Sequence, residues 1–321
     1  MKLRNILTPV VVAGGVLGTM AVLNKLTETQ AGELNTVLLG EERRYPWKYG
    51  DVFYEVKGER EAKPLVLVHG FGPGASSYEW RKNIDILAAQ YRVYVLDLLG
   101  FGLSDRPAID YTAETFSDLI GDFVKEVIGK PATVVAHGLT SAYVVAEAYR
   151  RPKYFERLVL VSPPISILED KAPGFVGTAL KTALRLPLIG EFIYNRLTTR
   201  GAIRSYFDEQ GFHNPGLITD ELVEYVYTSA HQPNARYAAG GFLGNALSMN
   251  VEEPLARLQV PVLVVIGREG NLTPAEASDA FKRANSKVEV RILDRCNTQP
   301  QDEQATLFNS MLKELVGANI K

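Results

Sequence analysis

ATVVAHGLTSAY, residues 132–143, decides the fold. Residues 133–136 (TVVA) form a short apolar run with strand character. From Leu139 onward (LTSAYVVAEAYR), Ala142, Val145 and Ala146 fall on one helical stripe. Only His137-Gly138 separates the two. A strand that turns so abruptly into a helix has the geometry of an elbow that holds a serine, strained, above a sheet. Here the serine's place is taken by Gly138, which has no side chain.

Working outward, strand, turn and helix repeat from Pro64. Strands are expected at 65–68, 93–96, 133–136, 158–161, 262–266 and 288–293. Helices are expected near 78–89, 115–128, 139–150, 274–284 and 303–316. Continuous Val/Leu/Ile strands alternating with helices predict a mostly parallel sheet covered on both faces. Residues 165–258 lack strand alternation and show helical stretches such as 175–186 and 222–230, which predicts a helical cap at the sheet's carboxyl edge. Before the core, residues 43–56 alternate around Tyr49-Gly50-Asp51, a hairpin signal.

The chain has 321 residues, 46% of them hydrophobic, and a formal charge of −2. That allows one large core and argues against nucleic-acid binding, which needs clustered Lys and Arg. The single cysteine, Cys296, excludes an internal disulfide, and the scattered His and Cys give no metal-ligand spacing. Gly70, Gly72 and Gly74 imitate a dinucleotide fingerprint, but their spacing is wrong and Pro73 removes an N–H from any phosphate cradle.

Residues 6–23 (ILTPVVVAGGVLGTMAVL) carry no charge and follow Lys2 and Arg4. As a helix they would span about 27 Å, which predicts a single membrane anchor with the domain outside. The rival is a signal segment cleaved near Thr19-Met20-Ala21, leaving a secreted protein. The expected divisions are an anchor or signal over 1–25, a tether over 26–42, a core over 43–164 and 259–321, and the cap over 165–258.

Several motifs together resemble the α/β-hydrolase superfamily, in the capped branch that holds epoxide hydrolases, haloalkane dehalogenases and carbon–carbon bond hydrolases. They are His69-Gly70-Phe71-Gly72, Tyr78-Glu79-Trp80, residues 97–105 (DLLGFGLSD), the elbow at Gly138, residues 261–267 (PVLVVIG) with Leu272-Thr273-Pro274, and residues 300–304 (PQDEQ). The resemblance spans roughly 43 to 316 and implies an α/β-hydrolase fold: a mostly parallel central sheet, helices on both faces and an inserted helical cap. It also implies a nucleophile, an acid and a histidine in that order. Those places fall on Gly138, Gly270 and Thr298, and none carries the required group.

Substitutes are few. No histidine follows His231. His69 belongs to the loop expected to line the oxyanion pocket, and His137 flanks the elbow. His213 and His231 lie in the cap. Ser141 sits one helical turn past Gly138, where a local backbone bond is expected. Cys296 stands in the loop that normally bears the histidine, and Glu269 neighbours the acid's place. Backbone N–H groups of Leu139 and of Phe71 or Gly72 remain able to face a carbonyl or anionic oxygen.

Two functions follow. One is a non-catalytic protein that holds a small apolar ligand under the cap or presents the cap to a protein partner, with no cofactor. The other is a hydrolase of esters, epoxides or related small apolar molecules with a rebuilt site using His137, Ser141, Cys296 or the cap histidines. Lys181, Arg185, Arg196, Arg200 and Arg204 alternate with apolar residues. They read as a solvated face, with an anionic membrane surface as the rival contact.

Overall fold

The structure is a computed structural model that describes residues 4–169 and 174–317, with side chains for 15–169 and 174–315. Helix α1 (Arg4–Ala31) leads into a hairpin of β1 (Glu41–Trp47) and β2 (Gly50–Lys57). Next come β3 (Lys63–Val68), the short α2 (Ile84–Leu87), β4 (Tyr91–Leu96) and α3 (Ala113–Phe123). β5 (Ala132–His137), α4 (Thr140–Arg150) and β6 (Phe155–Val161) follow. A helical insertion then carries α5 (Phe175–Arg185), α6 (Ile189–Leu197), α7 (Arg200–Tyr206), α8 (Asp220–Ala230), α9 (Arg236–Leu243) and α10 (Glu252–Arg257). The chain closes with β7 (Val262–Gly267), α11 (Ala277–Ala284), β8 (Glu289–Leu293), α12 (Pro300–Glu303) and α13 (Ala305–Gly317).

The strands form one sheet in the order β1-β2-β4-β3-β5-β6-β7-β8. β2 pairs antiparallel with β1 and β4, and every other pairing is parallel. The continuous apolar runs are explained by two-sided burial. Val66, Val68, Val134, Ala136, Leu158, Leu160, Val264 and Ile266 face one core, while Leu65, Leu67, Val135, Val159, Val161, Leu263 and Val265 face the other. The expected α/β-hydrolase architecture is therefore present. One expected helix is not continuous: 78–89 becomes a 3-10 turn (Ser77–Trp80) and α2. Asn83, between them, donates to Gln301 O at 3.0 Å and Asn309 Oδ1 at 2.8 Å, and these tertiary bonds hold the break.

The membrane reading of residues 6–23 is corrected. Among the described residues no helix is long and apolar enough to cross a membrane. Residues 1–3, and the side chains of 4–14, lie outside what is described. The helix containing this segment continues past Lys25 and Glu28, and Thr19-Met20-Ala21 lies within it. Its later half docks on the insertion through polar groups. Buried Asn24 donates to Leu188 O at 3.0 Å and accepts from Asn195 Nδ2 at 3.2 Å, and Thr228 Oγ1 donates to Ala31 O at 3.0 Å.

Residues 26–42 likewise do not form a free tether. The helix runs to Ala31, and buried Glu55 on β2 then holds Thr36 Oγ1 at 2.7 Å and Gly40 N at 2.9 Å. The basic face of the insertion is mostly neutralised. Lys181 and Arg185 meet Asp110, Arg200 meets Glu224 and Arg204 meets Asp220, while Arg196 lies over the Phe192 ring.

Removing a buried amide that answers two partners leaves those partners unpaired, at about 1–3 kcal/mol. Asn24→Ala is therefore expected to lower the unfolding free energy by about that amount in urea titrations, with the same change absent for exposed Lys25→Ala.

Candidate functional site

β5 ends at His137, and Gly138 turns the chain at φ +57°, with its N–H donating to Val161 O at 2.8 Å. α4 starts two residues later. Thr140 Oγ1 donates to His69 O at 2.7 Å, which ties the helix start to the loop after β3. Apart from its two chain neighbours, no atom lies within 4 Å of the place a Cβ on Gly138 would take. The elbow thus has both the left-handed backbone and the free space that a nucleophile turn requires, without the side chain. Around it, the amides of Phe71, Gly72 and Leu139 make no hydrogen bond to the described residues.

His137 lies against the neighbouring loop: a Cβ on Gly70 would come within 2.6 Å of its Nδ1. Nε2 is 2.8 Å from Thr298 O, and Nδ1 is 3.0 Å from Glu79 Oε1. The second contact is an ion pair, off the line of a straight hydrogen bond. Nε2–H donates to the Thr298 carbonyl while Nδ1 faces the Glu79 carboxylate as an ion pair, so the ring is assigned as an imidazolium. Burial opposes that charge, but the Glu79 carboxylate and the Thr298 carbonyl outweigh it and hold the His137 pKa above its ordinary value.

The other histidines are also committed or remote. His69 has Nδ1 2.6 Å from Gly70 O and accepts Leu98 N–H on Nε2 at 3.0 Å, which sets it as a neutral ring. His231 contacts Tyr227 O and Thr198 Oγ1, and burial pulls its pKa down. His213 is exposed, its backbone N–H on Glu303.

The remaining expected positions are held by local bonds. Thr298 Oγ1 donates to Gln210 O at 2.6 Å in the insertion. Gly270 N–H donates to Gly267 O, and a Cβ there would meet Thr273 O at 2.8 Å. Glu269 Oε2 accepts Cys296 N–H at 2.8 Å, and Glu269 N–H donates to Cys296 O at 3.0 Å. The Cys296 thiol is buried. Burial first, then Glu303 and Glu269, push its pKa up, so it stays a thiol. Ser141 Oγ donates to Ala136 O at 3.2 Å.

A cavity of about 230 Å³ lies between the sheet's carboxyl edge and the insertion. Phe71, Gly72 and His137 line it, whereas His69, Ser141, Glu269 and Cys296 do not, because each side chain is turned into the bonds just described. Leu139 is half-buried at the elbow and outside the lining. The roof is apolar, with Ile203, Phe207, Phe212, Leu222, Val226 and Phe242. Sequence reasoning gave no role to the polar floor of Glu79, Arg81, Gln299 and Asp302. Glu79 Oε2 accepts Gly70 N–H at 3.1 Å and Oε1 accepts Gln301 Nε2 at 3.1 Å; Arg81 Nη2 pairs with Asp302 Oδ2 at 2.6 Å. The motifs Tyr78-Glu79-Trp80 and 300–304 were legible, but not that they meet across more than 200 residues. Among the described residues no group of three or more His, Cys, Asp or Glu is placed to hold a metal.

A family model described as "Alpha/beta hydrolase family" matches residues 65–305. The chain is 34% identical to the human (Lyso)-N-acylphosphatidylethanolamine lipase over 292 residues, 80% of each chain. It is 24% identical to the 2-hydroxymuconate semialdehyde hydrolase of Pseudomonas sp. (strain CF600) over 261 residues, 79% of this chain and 86% of that one. Among solved structures, the 2-hydroxy-6-oxo-6-phenylhexa-2,4-dienoate hydrolase from Rhodococcus sp. strain RHA1 superposes with a TM-score of 0.72. That match has 22% identity and covers 88% of this chain and all of the other, a likeness of fold.

A histidine whose folded pKa is raised contributes stability that is full below its unfolded value, about 6.5, and is lost as pH rises through the folded value. His137→Asn is expected to lower the melting temperature more at about pH 5.5 than at about pH 9. Equal losses at both would contradict the imidazolium assignment.

Proposed function

The chain belongs to the alpha/beta hydrolase family, and on that premise we propose that it binds a small, mostly apolar carbonyl compound under the helical insertion without hydrolysing it. The observation that carries this reading is the elbow itself. Gly138 leaves open space where an attacking oxygen would stand, and the one histidine beside it is engaged on both ring nitrogens. Acyl transfer needs a nucleophile, a free base and a group that orients the base, and these act as a unit. The unpaired amides of Phe71, Gly72 and Leu139 are suited to a carbonyl oxygen. The aromatic and aliphatic roof is suited to an apolar chain. The relatives named as hydrolases and a lipase favour ligands of that general kind.

Two measurements test it. Methyl octanoate, an uncharged ester with an apolar chain, is expected to raise the melting temperature saturably in the wild-type protein. The rise should vanish in Leu243→Trp, which fills the cavity wall. With p-nitrophenyl esters, the wild type and Gly138→Ser are both expected to stay near background, because the serine alone has no free imidazole. Adding Thr298→His to Gly138→Ser should raise the rate about 100-fold, the scale of a general base. Gly270→Asp is left out because its Cβ would press on the Thr273 carbonyl. Wild-type turnover at about 1 s⁻¹ or faster, the lower end of ordinary enzymes, removed by a side-chain substitution in the cavity, would replace this reading with that of a rebuilt hydrolase.

A further inference from the structure

The sheet ends on two edge strands, and the two are built differently. β1, at one end, is blunted in two ways: it contains Pro46, and its Glu41 and Arg43 are ion-paired to each other. β8, at the other end, pairs with β7 alone and has no proline. Its Glu289 and Arg291 are both exposed. Among the described residues neither makes an ion pair or a side-chain hydrogen bond.

Residues two apart in a strand share a face, so these opposite charges stand side by side. They lie on the face where Leu293 packs with Phe308 and Leu312. The peptide groups alternate in the same way. Leu293 O accepts Arg268 N–H at 2.9 Å, from the residue that follows β7. Leu293, Arg291 and Glu289 therefore turn their peptide groups toward β7, whereas Val290 and Ile292 turn theirs to the open edge. Val288 N–H is taken by Asn285 O at 3.0 Å, which closes the strand's start.

We propose that β8 is a docking edge for a second copy of this chain, the two strands pairing antiparallel about a two-fold axis at Val290. In that register each Val290 meets the partner's Val290, and the outward N–H and C=O of both are exchanged. Glu289 stands opposite the partner's Arg291, and Arg291 opposite the partner's Glu289. Both are non-hydrogen-bonded pairs, where facing side chains come closest. Moving the axis to Arg291 would set two arginines face to face. An axis between residues would oppose an outward peptide group to an inward one. Charge and backbone direction thus select one register. A second copy is the occupant that this pattern specifies, because the pattern is its own complement. The pairing doubles the eight-stranded sheet. Since the partner's strands run the other way, the two cavities open at opposite edges.

Sedimentation equilibrium of the full chain, from about 5 to 200 µM, tests the proposal. The wild type is expected to dimerise reversibly in that range. Glu289→Arg and Arg291→Glu each put like charges opposite one another at both pairs, and should weaken the dimer at least about tenfold. The double variant Glu289→Arg/Arg291→Glu restores opposite signs and should recover the wild-type association. Exposed positions change stability little, so melting temperatures near that of the wild type check the fold of each variant. If one single reversal does not fold, the other reads the same two pairs. A monomer throughout the range would overturn the proposal. So would a dimer that ignores the single reversals, or a double variant that associates no better than they do.

Discussion

The Glu79 carboxylate holds the carboxyl edge of the sheet together. Its two oxygens take Gly70 N–H from the loop after β3, Gln301 Nε2 from α12, and the His137 ring from the end of β5. Three segments that meet only because parallel strands bring their ends side by side are fixed to one group. The close approach of His137 to Gly70 belongs to the same arrangement, since any side chain on Gly70 would displace the ring. Charge-assisted bonds of this kind are stronger than neutral ones, and in a half-buried floor they are little screened.

That clasp separates the scaffold of the site from its chemistry. The elbow, the unpaired amides and the roofed cavity are properties of backbone and packing, and all three are in place. Bond-breaking depends on a few side-chain atoms whose positions a fold can keep while their identities change. At Gly138 the left-handed turn is kept by a residue with no side chain. At Thr298 a hydroxyl reaches the insertion and a carbonyl holds His137, so the last loop serves as a strut between layers. His137, beside the elbow, has one ring nitrogen on the Thr298 carbonyl and the other paired with the Glu79 carboxylate.

The insertion is fixed to the core at several independent points. α1 docks on it through Asn24, Asn195 and Leu188, Thr298 bonds Gln210, and Arg185 reaches Ile109 O. A roof held this way is a wall of the cavity more than a loose flap, so the dimensions of that cavity select what enters.

The order of strands and helices, the two-faced burial of the sheet and the abrupt turn at Gly138 were all legible in the chain. They follow from periodicities of two and 3.6 residues and from the absence of a side chain at one position, which are local properties. Local pattern also suggested that an uncharged run near the start crosses a membrane. Partners far along the chain, at Leu188 and Asn195, instead dock the later half of that helix on the insertion. The protonation of His137 was likewise out of reach, because Glu79 and Thr298 lie 58 and 161 residues away from it. Sequence spacing determines which elements form and which residues stand at the elbow and in the loops around it. Only the packing of distant elements decides which polar atoms are satisfied, because hydrogen-bond partners are set by distance in space and not along the chain.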